Sequence, residues 1–155
     1  MIAPCAIRVD DLSGGEITAL LQDHLAAAIE HSPPGAVHAL SLDRLRQSGI
    51  TFWSAWQGNS LAGCAALLEL TTTHGEVKSM RTAPAHLRQG VAAQLLGHLT
   101  KVARERGYQQ LSLETGNTSE FAAARALYTK LGFIPCPPFG NYRDDGFSIC
   151  MNRTL

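Results

Sequence analysis

The sequence predicts a mixed α/β domain with a mostly antiparallel sheet. Short apolar or alternating runs are typical of strands, other segments repeat their apolar residues at helical spacing, and a strand–helix–strand unit occupies the second half. The chain has 155 residues, 45% of them apolar, which is enough for one hydrophobic core. We therefore expect a single domain over residues 1–155.

The first half should begin with a short strand followed by two helices. Ser13 and Glu16 have capping-box spacing at the start of the first helix, which should end at Pro33 and Pro34. A shorter helix is expected over residues 41–47. Antiparallel strands should follow, the first two joined by a hairpin. The predicted strands of this half cover residues 6–9, 51–56, 61–70 and 76–82.

The second half alternates helices and strands. Apolar residues at helical spacing predict a helix over residues 91–106 that ends at Gly107, and another over residues 119–131 that ends at Gly132. One strand should lie between these helices, and one or two should follow them. These strands cover residues 110–114, 133–134 and 147–151.

Composition and charge argue against several classes of function. Thirteen basic and thirteen acidic side chains cancel, which disfavours binding to nucleic acid or a membrane surface mainly by charge. No apolar run approaches the roughly 18 residues of a membrane span, and no secretory signal pattern is visible. The four cysteines form no CxxC pair and no zinc-like set with histidine. We expect free thiols, no metal and a cytoplasmic location.

One segment in the middle of the chain has the features of an anion-binding helix start. The strand predicted over residues 76–82 leads into a helix that opens at Gly90 and Ala92. The first N–H groups of a helix lack intrahelical acceptors and lie at the positive end of its dipole. Because Gly90 and Ala92 carry little or no side chain, a phosphate could approach the backbone closely.

A second motif follows at Ala124, Leu127, Tyr128, Leu131, Gly132 and Phe133. With it, the chain resembles the GNAT superfamily of acetyl-CoA-dependent N-acetyltransferases, especially bacterial enzymes that act on small molecules. The family's pyrophosphate loop, Gln/Arg-x-x-Gly-x-Gly/Ala, is matched at Gly90 and Ala92 but has Leu87 at its first position. The Asn that the family usually has upstream of the second motif is Phe121 here, with Asn117 nearby.

The resemblance implies a central, mostly antiparallel, splayed sheet of about six to seven strands, flanked by about four helices. The strands over residues 76–82 and 110–115 would part at their C-terminal ends, and the pantetheine arm of acetyl-CoA would enter the gap. The pyrophosphate would rest on N–H groups of residues 88–93, with Arg88 and Arg125 adding charge. The implied cofactor-binding residues are Met80, Arg81, Thr82, Leu87, Arg88, Gln89, Gly90, Val91, Ala92, Ala93, Asn117, Arg125 and Tyr128.

The resemblance also implies direct transfer of the acetyl group to an amine. The main-chain N–H of Met80 would stabilise the oxyanion. Tyr128 would protonate the leaving thiolate, since a phenol of pKa about 10 keeps its proton at neutral pH. Glu76, at the expected start of its strand, is the first candidate for the base, with His74 and Glu69 as the others. Loss of the amine's proton to solvent is the remaining alternative.

The acceptor pocket is expected between the first two helices and the late loop. His38 lies between those helices, and Phe139, Tyr142 and Arg143 lie on the loop, where Arg143 could pair with a carboxylate and the rings could stack. This set favours a small, amino-acid-like primary amine as acceptor. A homodimer is compatible with the resemblance. The alternatives are a protein lysine or N-terminal acetyltransferase and a non-catalytic acyl-CoA-binding module, which the intact tyrosine motif disfavours.

Overall fold

The computed structural model of the chain describes residues 3–155, and within them seven strands and four α-helices follow the predicted order. Two short 3₁₀ turns, Pro84–His86 and Ser119–Phe121, precede the last two helices. The elements in chain order are β1 (Ala6–Val9), α1 (Gly15–His31), α2 (Leu42–Leu45), β2 (Ile50–Gln57), β3 (Ser60–Thr71), β4 (His74–Thr82), α3 (Val91–Glu105), β5 (Gln110–Gly116), α4 (Ala122–Lys130), β6 (Ile134–Cys136) and β7 (Ser148–Thr154).

The seven strands form one sheet in the order β1-β2-β3-β4-β5-β7-β6. Neighbouring strands are antiparallel except β4 and β5, which are parallel. A parallel pair requires a long crossover connection, and the segment containing α3 provides it. The predicted mixed α/β class with a mostly antiparallel sheet is confirmed.

β4 and β5 diverge after a short stretch of pairing. Residues 74–76 of β4 pair with residues 110–112 of β5, and the pairing stops there. Further along β4, its register against β3 shifts between Cys64 and Ala66, and Ser79 adopts a left-handed φ of 53°. A bulge of this kind bends a strand and increases its twist, so the C-terminal half of β4 turns away from β5. The splayed sheet implied by the resemblance is therefore present.

A hydrophobic core lies on each face of the sheet. Leu95 and Leu99 of α3 are fully buried on one face, and Ile17 of α1 is buried on the other. Gly63 of β3 allows α3 to approach the sheet closely, because a Cβ atom there would lie 2.9 Å from Cγ1 of Val91. The first turn of α3 is thereby held beside the C-terminal half of β4.

Several predicted element ends are wrong, among them the last strand, which runs over Ser148–Thr154 rather than residues 147–151. The other cases lie in the first half of the chain. Gly14, which has no side chain, is the N-cap of α1, and the Ser13 hydroxyl donates instead to the nearer Asp11 carboxylate at 2.6 Å, so no capping box forms. α2 contains only four residues. β4 begins at His74, before the predicted start, because its first residues pair with both neighbouring strands. Glu76 consequently lies inside the strand and is buried.

Within residues 3–155, no helix combines the length and the apolar character needed to cross a bilayer. The same part of the chain has no group of three or more His, Cys, Asp or Glu side chains arranged to hold a metal ion. All four cysteines are free.

Candidate active site

A groove opens between β4 and α4, where β4 and β5 diverge. Two adjoining cavities of about 230 and 410 Å³ form this groove. Both are lined by Met80 and Arg81 of β4 and by Ala124 and Tyr128 of α4. Its outer end, near the start of α3, is lined by Thr82, Leu87 and Ala92. The groove thus brings together predicted cofactor residues from three separate parts of the chain.

The loop before α3 has the backbone geometry of an anion site. Arg88 and Gly90 adopt left-handed conformations with φ of 61° and 79°, and Gly90 does so without steric cost. The first hydrogen bond of α3 runs from the Gln94 N–H to the Gly90 carbonyl at 3.1 Å. The N–H groups of residues 91–93 therefore have no intrahelical acceptor. Together with the helix dipole, they fit a pyrophosphate.

The bulge sets the main chain of Met80 apart from the regular ladder. Neither Ser79 nor Met80 has a partner in the register between β3 and β4, whereas Lys78 and Arg81 do. β5 does not pair with this part of β4 either. The main chain of Met80 thus lies in the irregular part of β4, which is compatible with its predicted role as oxyanion donor.

Tyr128 lies where the two cavities of the groove meet. Its side chain is buried and packs edge-on against Phe133, with the ring centroids 6.1 Å apart. Burial, together with the negative charge of Glu114, raises the pKa of Tyr128 to about 12. The phenol therefore keeps its proton at neutral pH and is available to donate it.

A separate cavity, of about 370 Å³, lies between the α1–α2 connection, β4 and the late loop. We call it the acceptor cavity. The Tyr142 hydroxyl in its wall donates to the Glu76 carboxylate. Nζ of Lys78 lies 3.2 Å from that carboxylate and donates to the Tyr142 oxygen at 2.8 Å. His38 packs edge-on against Tyr142, with the ring centroids 4.9 Å apart. Burial, followed by the charge of Glu76, raises the pKa of Tyr142, so its hydroxyl stays a donor.

The three carboxylate and imidazole candidates for the base differ in their surroundings. Glu76 is 3% exposed and its carboxylate is ion-paired with Lys78, so it is not the solvated strand-end group that its predicted position implies. Glu69 is exposed and accepts a hydrogen bond from Tyr108, a residue of the core on the α3 face. His74 Nε2 lies 2.6 Å from the Ser112 hydroxyl, and burial lowers the pKa of His74. Each of these three groups thus already has a partner in the fold, and none lines the groove between β4 and α4.

Glu114 of β5 is a candidate that the sequence analysis missed. It lines a small cavity of about 100 Å³ that has His38 in common with the acceptor cavity and Thr115 in common with the groove. Burial, together with the charges of Glu76 and Asp145, raises the pKa of Glu114 to about 7. A carboxylate with this pKa can accept a proton from an ammonium group near neutral pH.

The pattern of β5 contained a signal for Glu114. Leu111 and Leu113 belong to the core on the α3 face, so Ser112 and Glu114 point to the opposite face. Ser112 is fully buried, which means that this second face is also covered. An acidic residue at such a position in a central strand is rare without a partner or a function.

The family model described as "Acetyltransferase (GNAT) family" matches residues 17–133. The chain belongs to the GNAT acetyltransferase family. It is 51% identical over 149 residues to the uncharacterized N-acetyltransferase YsnE of Bacillus subtilis, covering 96% of this chain and 99% of that one. It is 34% identical over 125 residues to the IAA acetyltransferase of Azospirillum brasilense, covering 79% and 80%. The protein is therefore an acyltransferase of the N-acetyltransferase type.

A solved structure supports the fold of this acetyltransferase. The GNAT family acetyltransferase from Elizabethkingia anophelis, solved with acetyl-CoA bound, superposes with a TM-score of 0.72 at 20% identity and covers 99% of each chain. At this identity the similarity concerns the fold alone.

The fold brings most of the predicted acceptor residues together but leaves one of them apart. His38 and Tyr142 line the acceptor cavity, and Phe139 packs 5.0 Å from the Tyr142 ring. Arg143 is exposed and is not among the residues that line this cavity. Gln89 donates its side-chain amide to the Ala85 carbonyl at 3.4 Å, leaving its main chain for a phosphate.

Arg125 and Asn117 hold the turn after β5. Nη1 of Arg125 donates to the carbonyls of Gly116 and Thr118 at 2.6 and 2.8 Å. The Asn117 amide donates to the Gly146 carbonyl at 2.7 Å. Their contacts with the cofactor stay predictions. The hydrogen bonds described above fix the end of β5, the strand that carries Glu114.

Proposed function

We propose that this acetyltransferase transfers the acetyl group of acetyl-CoA to the primary amine of a small molecule, by direct attack within a ternary complex. The observation that carries the proposal is Glu114, a partly buried carboxyl group that lines the small cavity between the groove and the acceptor cavity and whose pKa burial raises to about 7. Acetyl-CoA, when bound, supplies an acyl group activated as a thioester.

The residues at the groove can hold acetyl-CoA. The N–H groups of residues 91–93 and the positive end of the α3 dipole suit its pyrophosphate. The groove between β4 and α4 has room for an extended arm in its two adjoining cavities of about 230 and 410 Å³. Its shared lining by Met80 and Tyr128 would place the thioester between an N–H donor and a phenol.

Each proton has a place to go in this arrangement. Glu114 takes the proton of the incoming ammonium group, so that the amine nitrogen can bond to the acetyl carbon. The Met80 N–H donates to the oxyanion that forms at that carbon. As the carbon–sulfur bond breaks, the Tyr128 hydroxyl gives its proton to sulfur. The second proton leaves the amine nitrogen, which gives the neutral amide, and restores the phenol directly or through water. The proton held by Glu114 is released to solvent before the next turnover.

The size of the acceptor side supports a small molecule. The acceptor cavity measures about 370 Å³, within the range typical of small-molecule sites, and the cavity beside Glu114 is smaller, at about 100 Å³. The α1–α2 connection and the late loop meet over them, since His38 packs on Tyr142. A peptide substrate would need a longer open channel, which disfavours protein acetylation.

The test is an acceptor screen with the purified protein and acetyl-CoA. The panel contains amino acids, aliphatic and aromatic amines, IAA because of the relative named for it, and peptides with a free N-terminus or lysine. Release of the CoA thiol and the mass of the product are both measured. We expect N-acetylated small amines. Acetylation of peptides but of no small amine would overturn the proposal in favour of protein acetylation, and acetyl-CoA binding without any acetylated product would favour a non-catalytic module.

A further inference from the structure

The side chain of Arg81 lies on the face of the sheet that α1 covers. Arg81 of β4 pairs in register with Cys64 of β3, and register partners point to the same face. Cys64 is fully buried in the core that contains Ile17 and Leu20 of α1. Arg81 therefore emerges away from the face on which α3 packs.

The Arg81 guanidinium has no counterion in residues 3–155. Its Nε is buried without a hydrogen-bond partner, and no carboxylate in this part of the chain lies within 4.0 Å of its nitrogens. Lys78, on the same strand, is by contrast paired with Glu76 at 3.2 Å. Glu120 also lines the groove, but it is exposed and unpaired with Arg81. A partly buried cation without a partner is costly unless a ligand completes it.

Arg81 lies beside the cavity that contains Glu114. It lines both cavities of the groove, and the inner cavity shares His24 and Thr115 with the small cavity lined by Glu114. A carboxylate bound at the inner end would leave the ammonium group of the same molecule facing Glu114. His24 of α1 lines the inner cavity with it, and burial, followed by the charge of Arg81, lowers the pKa of His24 to about 4. His24 is thus neutral at pH 7, and Arg81 supplies the positive charge of this wall.

We propose that Arg81 binds a carboxylate of the acceptor, so that the acetyltransferase acts on amines that also bear a carboxylate, as amino acids do. This inference rests on the proposed function. The planar guanidinium suits a carboxylate in two-pronged geometry, while Glu114 on the facing strand receives the proton of the ammonium group. Arg81 takes the role that the sequence suggested for Arg143, which is exposed.

The test compares matched acceptors on the wild-type, Arg81→Gln and Arg81→Lys proteins. Each amino acid is paired with its carboxamide and with the amine that lacks the carboxyl group. The wild type should favour the acids by about 10- to 100-fold in kcat/KM, the range of charge-assisted hydrogen bonds. Arg81→Gln should remove this preference through KM, and Arg81→Lys should restore part of it. Arg8→Gln, the same change on the edge strand β1, is the control and should retain the preference.

Arg81 could instead bind a phosphate group of acetyl-CoA. Calorimetric titration with acetyl-CoA distinguishes this case from binding of an acceptor carboxylate. The inference expects acetyl-CoA affinity to stay within about threefold in Arg81→Gln, less than a hydrogen bond to a charged group contributes. Weakened acetyl-CoA binding with an unchanged preference for acids would overturn the inference and make Arg81 a cofactor residue.

The inference and the proposed function fail in different ways. If the wild type acetylates amides and simple amines as well as acids, the proposed function stands and the inference is overturned. If no amine is acetylated, the proposed function fails, and the CoA-loaded protein is titrated with N-acetyl amino acids and their amides. Tighter binding of the acids, lost in Arg81→Gln, would still support the inference, and equal binding would overturn it.

Discussion

Replacing Glu114 with glutamine should stabilise the protein at pH 8 while removing most of its activity. The pKa of this carboxyl group rises from its ordinary value of 4.5 to about 7 in the folded state. Between these values the folded protein holds a proton that the unfolded chain has lost, so the free energy of unfolding falls as pH rises. The decrease in the free energy of unfolding is complete above pH 7, where Glu114 is ionised in both states. Each tenfold change in proton affinity corresponds to about 1.4 kcal/mol, so the decrease amounts to about 3 kcal/mol at most.

Glutamine has nearly the same shape and no charge, so Glu114→Gln should escape this loss. Urea unfolding at pH 5, 6, 7 and 8 measures the free energy of unfolding of both proteins. The variant should gain on the wild type progressively from pH 5 to 8, while Glu105→Gln, an exposed change on α3, should show no such gain. In the wild type, kcat/KM should rise with pH and level off above about 7, and the variant should lose this rise together with most of its rate.

A constant difference between the two proteins from pH 5 to 8 would refute the reasoning, because it would mean that Glu114 titrates alike in both states. Loss of the pH-dependent stability with full retention of activity would place Glu114 in the fold but outside the proton transfer.

Three further predictions concern the groove. Tyr128→Phe should lower kcat by about 10²- to 10⁴-fold with little change in acetyl-CoA affinity measured by calorimetry, and an unchanged kcat would remove Tyr128 from the mechanism. Gly90→Glu should abolish acetyl-CoA binding without unfolding the domain, because a charged side chain would occupy the anion site at a φ of 79°; retained binding would refute this anion site. Gly63→Ala should weaken acetyl-CoA binding, because its Cβ would lie 2.7 Å from the Arg81 carbonyl oxygen and 2.9 Å from Cγ1 of Val91, and would displace β4 or the start of α3. Gly97→Ala, which meets no atom within 4 Å, is the control and should raise thermal stability slightly, and equal effects of the two substitutions on binding would contradict the argument.

The loop before α3 and the place of Tyr128 could be predicted from the sequence, while their contacts with acetyl-CoA stay predictions. The loop at Gly90 and the helix after it are local features, since a glycine, a small residue and a helix start are adjacent in the chain. Tyr128 was found through its motif, and the structure places it in the groove beside Met80. These predictions depend on short-range backbone geometry and on one strand–helix–strand unit.

The acceptor side was less predictable because it depends on which side chains become buried together. Glu76 has the sequence position of an exposed strand end, but pairing of β4 with both neighbours buries it beside Lys78. Ser13 had an alternative partner in Asp11, so capping-box spacing did not produce a capping box. The position of Arg143 on the late loop predicts a carboxylate partner, but Arg143 is exposed, and the unpaired cation beside the groove is Arg81.

The order of helices and strands, the fold class and the backbone geometry before α3 follow from the sequence pattern, because each depends on periodicity and helix ends within about fifteen residues. The place where β4 and β5 diverge depends on tertiary packing, and so does the fact that Glu114 and Arg81 line adjoining cavities. The protonation of Glu114 and the unpaired charge of Arg81 arise from burial, which depends on contacts between residues distant in the chain. The proposed chemistry of the acetyltransferase therefore depends on desolvation that the fold creates and that no local pattern records.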